Sequence, residues 1–243
     1  MTQLTRGSAA DIKDTNPNRA SNGTPSSLAA EVDQRRLWNE HHRKYWHSEE
    51  RSTPTPLAHL LAAQLSPGRR ILELGCGSGR DAVHLQSLGH TVTASDFSEF
   101  AVRENVHAWR TSGVRFLIQD LRTPLAFPVG AFDAVYARLS LHYFSDSVTR
   151  DIFREVHRVL RPGGLILFSC RSIDDPLYGQ GEKLGPQLYR SGGQVRHFFS
   201  EWYTRQVLSA GPRFTIDDLS RRDELIYSER SSIVQCLAHR GEG

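Results

Sequence analysis

Residues 71–81 read Ile71-Leu72-Glu73-Leu74-Gly75-Cys76-Gly77-Ser78-Gly79-Arg80-Asp81: an apolar run holding one acid, three glycines at alternate positions, then the start of an amphipathic pattern. Glycines so spaced let a backbone turn sharply from strand into helix, and let another group approach where a Cβ would stand. The unpaired N–H groups at the start of the following helix favour a negatively charged ligand group. The stretch predicts a strand–turn–helix unit holding a small nucleotide-like ligand.

Downstream, strand and helix patterns alternate. Strand runs at 70–74, 91–95, 115–119, 132–139 and 165–170 are separated by helical patterns at 80–88, 98–109 and 147–160. Continuous apolar strands between helices imply a parallel sheet buried on both faces. Arg161-Pro162-Gly163-Gly164 stops the third helix and turns the chain into the next strand. Residues 172–197 are rich in Gly and Pro without clear period, which marks a functional lid or disorder. Ser200 then caps a helix reaching Ala210, and runs at 214–219 and 233–238 predict an antiparallel hairpin at the sheet edge.

Upstream, residues 1–27 are polar and lack apolar periodicity, which predicts a disordered tail. Residues 28–66 predict a cap of two helices. The first carries Leu28, Val32, Leu37, Trp38, Tyr45 and Trp46, and Pro56 opens the second after the break at 52–56. Trp38, Tyr45 and Trp46 either pack as core or close over a ligand. Residues 67–243 form the main domain, with 172–198 as an insertion.

Composition excludes several classes. The 243 residues, 38% hydrophobic and 23% charged, suit one α/β domain plus a tail. A net charge of +3 is too mild to argue for nucleic acid. Cys76, Cys170 and Cys236 are too few and too widely spaced for a disulfide framework or a zinc site, and no cluster reads as a metal centre. Cys170 and Cys236 lie in apolar runs and are expected to be buried. No stretch matches a membrane span or a signal-peptide core, so no membrane partner and a cytoplasmic location are expected.

The ligand is narrowed by what is missing. A dinucleotide fingerprint places its last glycine where this chain has Arg80, and no Gly-Lys-Ser/Thr follows as in a P-loop. Taken together, Leu72-Glu73-Leu74-Gly75-Cys76-Gly77-Ser78-Gly79, Asp96, Asp120-Leu121, Phe132-Asp133-Ala134-Val135 and Leu160-Arg161-Pro162-Gly163-Gly164 resemble the motif set of class I S-adenosylmethionine-dependent methyltransferases. The likeness covers roughly residues 57–239 and is similar to the methyltransferase-25 and tellurite-resistance-like group of small-molecule enzymes. It implies a Rossmann-like seven-stranded mostly parallel sheet with an antiparallel C-terminal hairpin and helices on both faces.

The resemblance also implies site residues. Gly75, Cys76, Gly77 and Gly79 border the methionine part of S-adenosylmethionine, and Glu73 acts near its ammonium. Asp96 accepts from the ribose hydroxyls, or else caps the following helix. Phe97 lies along the adenine, Asp120 and the Leu121 amide meet its edge, and the Arg138 backbone meets the methionine end. His142, just past the fourth strand, either borders the acceptor, takes its proton or is structural. His197 and Arg196, in a His-Phe-Phe-Ser stretch like that of the tellurite-resistance type, either meet an anionic acceptor or cap the lid. Tyr45, Trp46, Tyr143 and Tyr178 are further acceptor-lining candidates, whereas His84, His107 and His157 fall on helices as surface residues.

Methyl transfer from a sulfonium asks the protein mainly for proximity and alignment. The expected acceptor is an O, N or S atom of a small molecule or peptide natural product. A nucleic-acid-modifying enzyme is disfavoured, because Ala137-Arg138-Leu139-Ser140 stands where base-amine methylating enzymes carry Asn/Asp-Pro-Pro-aromatic. A non-catalytic cofactor-binding domain is the third reading.

Overall fold

The computed structural model describes residues 27–48, 53–211 and 213–241, with side chains from residue 34. The expected disordered tail over 1–27 lies outside the described residues except for Ser27, which begins a helix. The chain opens with α1 (Ser27–Tyr45) and α2 (Pro56–Gln64). Thr55 caps α2 by accepting from the Ala58 amide, and Pro56 takes a first-turn position where no N–H is needed.

The alternating segment follows as β1 (Arg70–Leu74), α3 (Arg80–Ser87), β2 (Thr91–Asp96), α4 (Glu99–Ala108), β3 (Arg115–Ile118), β4 (Phe132–Arg138), α5 (Asp146–Val159) and β5 (Leu160–Arg171). Three short strands come next, β6 (Glu182–Gly185), β7 (Leu188–Ser191) and β8 (Gln194–His197). Then α6 (Glu201–Ser209), β9 (Phe214–Ile226) and β10 (Glu229–Arg240) close the fold.

The seven-stranded sheet has the order β3-β2-β1-β4-β5-β10-β9. Strands β1 to β5 pair in parallel, and β10 runs antiparallel to both β5 and β9. Alternate residues feed two cores. Leu72, Leu74, Val135, Ile166 and Phe168 pack with α5 and α6, whereas Ile71, Ala134, Tyr136, Leu165 and Leu167 pack with α2 and α3. Each large apolar side chain so enclosed contributes about 2 kcal/mol. Cys170 and Cys236 are buried in the first core, and the three cysteines are free.

Three expectations change. The insertion is ordered: β6, β7 and β8 form a separate antiparallel sheet. Glycines at 179, 181, 192 and 193, all with positive φ, make its turns and erase any readable period. Strands β9 and β10 are about twice as long as their apolar runs. The stretch after residue 219 reads as part of the link, yet β9 continues through it as the sheet edge and turns Arg221, Arg222 and Asp223 to water. His84 is not a plain surface residue: its ring meets His59 edge-on at 4.4 Å and its Nε2 is buried. His157 is half-buried, with its ring against Phe214.

Candidate active site

The order of the sheet reverses between β1 and β4, and the glycine loop leaves β1 at that point. This is where ligands gather in open α/β sheets. Gly75 has φ 76°, and a Cβ there would stand 2.4 Å from Ser140 Cβ. Ser140 itself donates to the Leu74 carbonyl at 2.6 Å. The close approach that demands Gly75 is therefore made by the chain after β4. Leu139, with φ 54°, is a non-glycine residue in the left-handed region, and it turns that segment over the loop. Asn105 and Trp109 of α4 clamp the other side, donating to the Gly77 and Ser78 carbonyls at 2.8 and 2.9 Å.

Three carboxylates stand on or just past neighbouring strands. Asp96 ends β2; its Oδ2 accepts from the Gly77 amide at 2.9 Å and its Oδ1 from the Ser98 amide at 2.8 Å. It thus ties the glycine loop to the start of α4, while the helix cap itself is Ser98. Asp120 follows β3 and receives Arg122 on both oxygens. Burial pushes the Asp120 carboxyl up, but the Arg122 hydrogen bonds and the charges of Arg122 and Arg35 outweigh it and hold the group below its usual range. Glu73 is buried with Oε2 unpartnered among the described residues, and burial, then the Asp81 and Asp96 charges, push it well above the usual carboxylate range. Beneath it, Asp81 accepts from the Thr55 amide and hydroxyl and from the Tyr136 hydroxyl at 2.7–2.8 Å.

Helix α1 serves two sides of this region. One stripe faces β2 and α4: Arg35 pairs with Glu99 at 2.7 Å, Asn39 accepts from Ser98 Oγ and the Phe100 amide, and His42 Nε2 lies 3.8 Å from Asp96. Arg35, Asn39 and Arg43 form one wall of a cleft of about 480 Å³, with Phe97, Asp120 and Arg122 on the other. That volume suits a small organic ligand. The Phe97 ring lies in this cleft, against the guanidinium groups of Arg35 and Arg122 at 4.6 and 5.2 Å.

The second stripe faces the segment after β4 and the tip of the terminal hairpin. Trp38 meets Tyr143 edge-on at 4.7 Å, and His41 and Tyr45 stack on Tyr227 at 5.5 Å. His41 Nε2 also lies within hydrogen-bond distance of the Tyr227 hydroxyl, at 3.1 Å. Tyr143 stacks on His142 at 4.3 Å, and Arg196 donates to its hydroxyl. His142 is fully buried, with neither ring nitrogen partnered among the described residues; burial, then the charges of Arg171, Arg196 and His197, lower its pKa well below the usual imidazole value. His197 packs on Tyr203 at 4.4 Å and bonds to the Phe144 backbone; burial lowers it to about 4 despite nearby Asp146.

The sequence-derived candidates thus fall into groups. Glu73, Gly75, Cys76, Gly77, Gly79 and Asp96 gather at the glycine loop, with Phe97, Asp120 and Leu121 beside it past β2 and β3. His142, Tyr143, Arg196 and His197 come together after β4, with Tyr45 reaching them through Tyr227. The others lie elsewhere. Trp46 packs edge-on against Phe100 of α4, and Tyr178 packs on Tyr189 and Phe198 within the insertion; Arg138, expected to act through its backbone, ends β4 at the strand-order reversal, and its side chain pairs with Glu224 of β9. Sequence reasoning missed Arg35, Asn39, Asn105, Trp109, Arg122 and Tyr227. Only the cap position of Asn39's partner Ser98 carried a local signal. Among the described residues, no group of three or more His, Cys, Asp or Glu side chains is placed to hold a metal ion. No helix among them is long and apolar enough to cross a membrane.

Comparison with known proteins adds to this geometry. Residues 71–164 match a family model described as a methyltransferase domain. The chain is 36% identical over 118 residues to an uncharacterized methyltransferase of Synechocystis sp., covering 48% of this chain and 52% of that one. It is 35% identical over 139 residues to the 27-O-demethylrifamycin SV methyltransferase of Amycolatopsis mediterranei, covering 53% and 50%. The chain thus spans about half the length of these curated relatives. Among solved structures, an S-adenosylmethionine-dependent methyltransferase of Methanosarcina mazei superposes with a TM-score of 0.67 at 22% identity, covering 78% of this chain and 99% of that one. The 1,6-didemethyltoxoflavin-N1-methyltransferase of Burkholderia thailandensis, solved with its substrate and S-adenosylhomocysteine, gives the same score and identity over 88% and 89%. At such identities these two likenesses speak for the fold.

Proposed function

From a chain that carries a class I S-adenosylmethionine-dependent methyltransferase domain, we propose an enzyme that methylates an O or N atom of a small molecule. The cofactor of this class is S-adenosylmethionine, and the residues present fit it. Its cationic, hydroxyl-bearing body would face three acidic side chains, one of which, Glu73, has a buried oxygen without a partner among the described residues. Asp96 would hold the ribose hydroxyls and Asp120 the adenine amino group, with the Leu121 amide and the Phe97 ring beside it. Gly75, Gly77 and Gly79 would keep the methionine part free of side chains. When bound, the cofactor supplies an electrophilic methyl group. What this chain adds is orientation and exclusion of water, and α1 is placed for both because it borders the cofactor cleft and the aromatic cluster together.

The acceptor belongs beside His142, Tyr143 and Arg196, with Tyr45 behind them. His197 acts here as a positioning residue: its backbone holds the His142 loop and its ring is packed against α6. We read residues 28–66 as a helical cap and 67–243 as a core with 172–198 inserted, a division that this use of α1 supports. The three free cysteines agree with a reducing, cytoplasmic setting.

The observation that carries the reading is Asp96, fastened to the Gly77 amide at the strand-order reversal. Calorimetry with S-adenosylhomocysteine against NAD is the test, followed by a labelled-methyl assay on small-molecule extracts with Asp96→Ala as control. Tight binding of NAD with none of S-adenosylhomocysteine overturns the proposal.

A further inference from the structure

Resting on that reading, we propose that the acceptor is a planar aromatic molecule carrying an ionised oxygen, its ring against Trp38 and Tyr143 and its charge on Arg196. The case begins with charge. Two guanidinium groups stand near the buried His142 ring. Arg171 is neutralised by buried Asp175 at 2.8 Å and also donates to Ser231 Oγ. Arg196 differs: among the described residues it has no carboxylate partner. Its side chain hydrogen-bonds to the neutral Gln194 and Tyr143, and among the described residues its buried Nε has no hydrogen-bond partner. A half-buried cation left so is costly, and an anion set against it removes that cost and completes its donor set.

The walls specify the rest of the ligand. Trp38 and Tyr143 meet edge-on, at 76°, and Tyr227 joins the same aromatic cluster through His41 and Tyr45. Such faces favour a flat ring. His142 bears on ionisation. A proton moved to its imidazole would create a third positive charge beside Arg171 and Arg196, with His197 and the Tyr143 hydroxyl as the other titratable neighbours. The neutral ring is suited to accept or donate a hydrogen bond and unsuited to store a proton. An acceptor already ionised needs no such store. A lone pair of its oxygen forms the bond to the methyl carbon, the carbon–sulfur pair stays on sulfur, and no proton remains to be placed.

The test uses the full chain saturated with S-adenosylhomocysteine, titrated with 4-nitrophenol and, as the neutral comparison, 4-nitrobenzyl alcohol. Visible absorbance reports how much of the bound phenol is phenolate. The expected result is phenolate binding at least tenfold tighter than the alcohol, with bound nitrophenol shifted toward its anion. Arg196→Gln should abolish that preference, Arg196→Lys should keep part of it, and both should bind S-adenosylhomocysteine like the parent. Trp38→Ala should weaken both probes alike. Equal binding of the two probes by the parent chain, or an unchanged preference in Arg196→Gln, overturns the proposal and leaves the methyltransferase reading standing. Failure of the parent chain to bind S-adenosylhomocysteine overturns both.

Discussion

The amide of His197 donates to the carbonyl of His142 across 2.8 Å, joining the end of the insertion to the segment that follows β4. Two histidines far apart in the chain are thereby held as neighbours, and both are buried. Each loses affinity for a proton on folding.

That loss predicts a pH dependence. His197 falls from an ordinary 6.5 to about 4, so between those values the unfolded chain binds the proton and the folded chain does not. Its contribution is fully present above about pH 6.5 and is lost as the pH falls toward 4, amounting to on the order of 3 kcal/mol. His142 acts in the same direction. Glu73, whose carboxyl is raised, acts oppositely above its ordinary value. Urea unfolding of His197→Gln across this range should therefore show a shallower rise of stability with pH than the parent. An unchanged slope would remove His197 as a source.

Asp96 joins the glycine loop to α4 through two amide hydrogen bonds. Asp96→Asn presents one oxygen where two are used and should leave an amide donor without its acceptor, costing about 1–3 kcal/mol. Calorimetric affinity for S-adenosylhomocysteine should fall at least tenfold.

Gly75→Ala meets two obstacles, a φ of 76° and a Cβ placed 2.4 Å from Ser140 Cβ. Ser140→Gly relieves only the second. The double variant should recover part of the lost melting temperature and remain below the parent by the strain of the left-handed backbone, about 1–2 kcal/mol. Full recovery would show that the backbone conformation itself costs nothing.

Tyr136→Phe removes a buried hydroxyl that donates to Asp81 at 2.7 Å. Asp81 keeps its two Thr55 donors, so the fold survives with a loss of about 1–2 kcal/mol in chemical denaturation. Thr55→Val, which removes a hydroxyl bonded to both, should cost more together with Tyr136→Phe than the two losses added.

The contact of Tyr227 with α1 makes a fourth structural prediction. Its φ of 51° is one that Asn adopts readily, so Tyr227→Asn should leave the hairpin intact while removing the ring on which His41 and Tyr45 rest. Hydrogen exchange should then speed up in α1 and stay unchanged in β10.

Part of the site was legible because its signals are local. Gly75, Gly77 and Gly79 announce a left-handed loop wherever they stand, and Asp96 and Asp120 stand at or just past the ends of strand runs. The insertion was not legible, since four-residue strands between glycines carry too few positions for a period to show. Arg221 to Asp223 misled for another reason: at an edge, charge is compatible with a strand. Phe97 was readable as a ligand-facing ring, but its approach by Arg35 from α1 was not.

The sequence alone therefore determined the strand–turn–helix unit at 71–81, the two-faced parallel sheet and the kind of cofactor its loop and acids suit. Periodicity, glycine spacing and strand-end acids act within a few residues of themselves. Only the tertiary structure decided that Trp38 meets Tyr143, that Tyr227 supports α1, that His197 holds His142, and that Arg196 has no carboxylate partner among the described residues. These are meetings of distant segments, set by how the helices and the terminal hairpin pack on the sheet, and nothing in the neighbouring sequence of any one partner names the other.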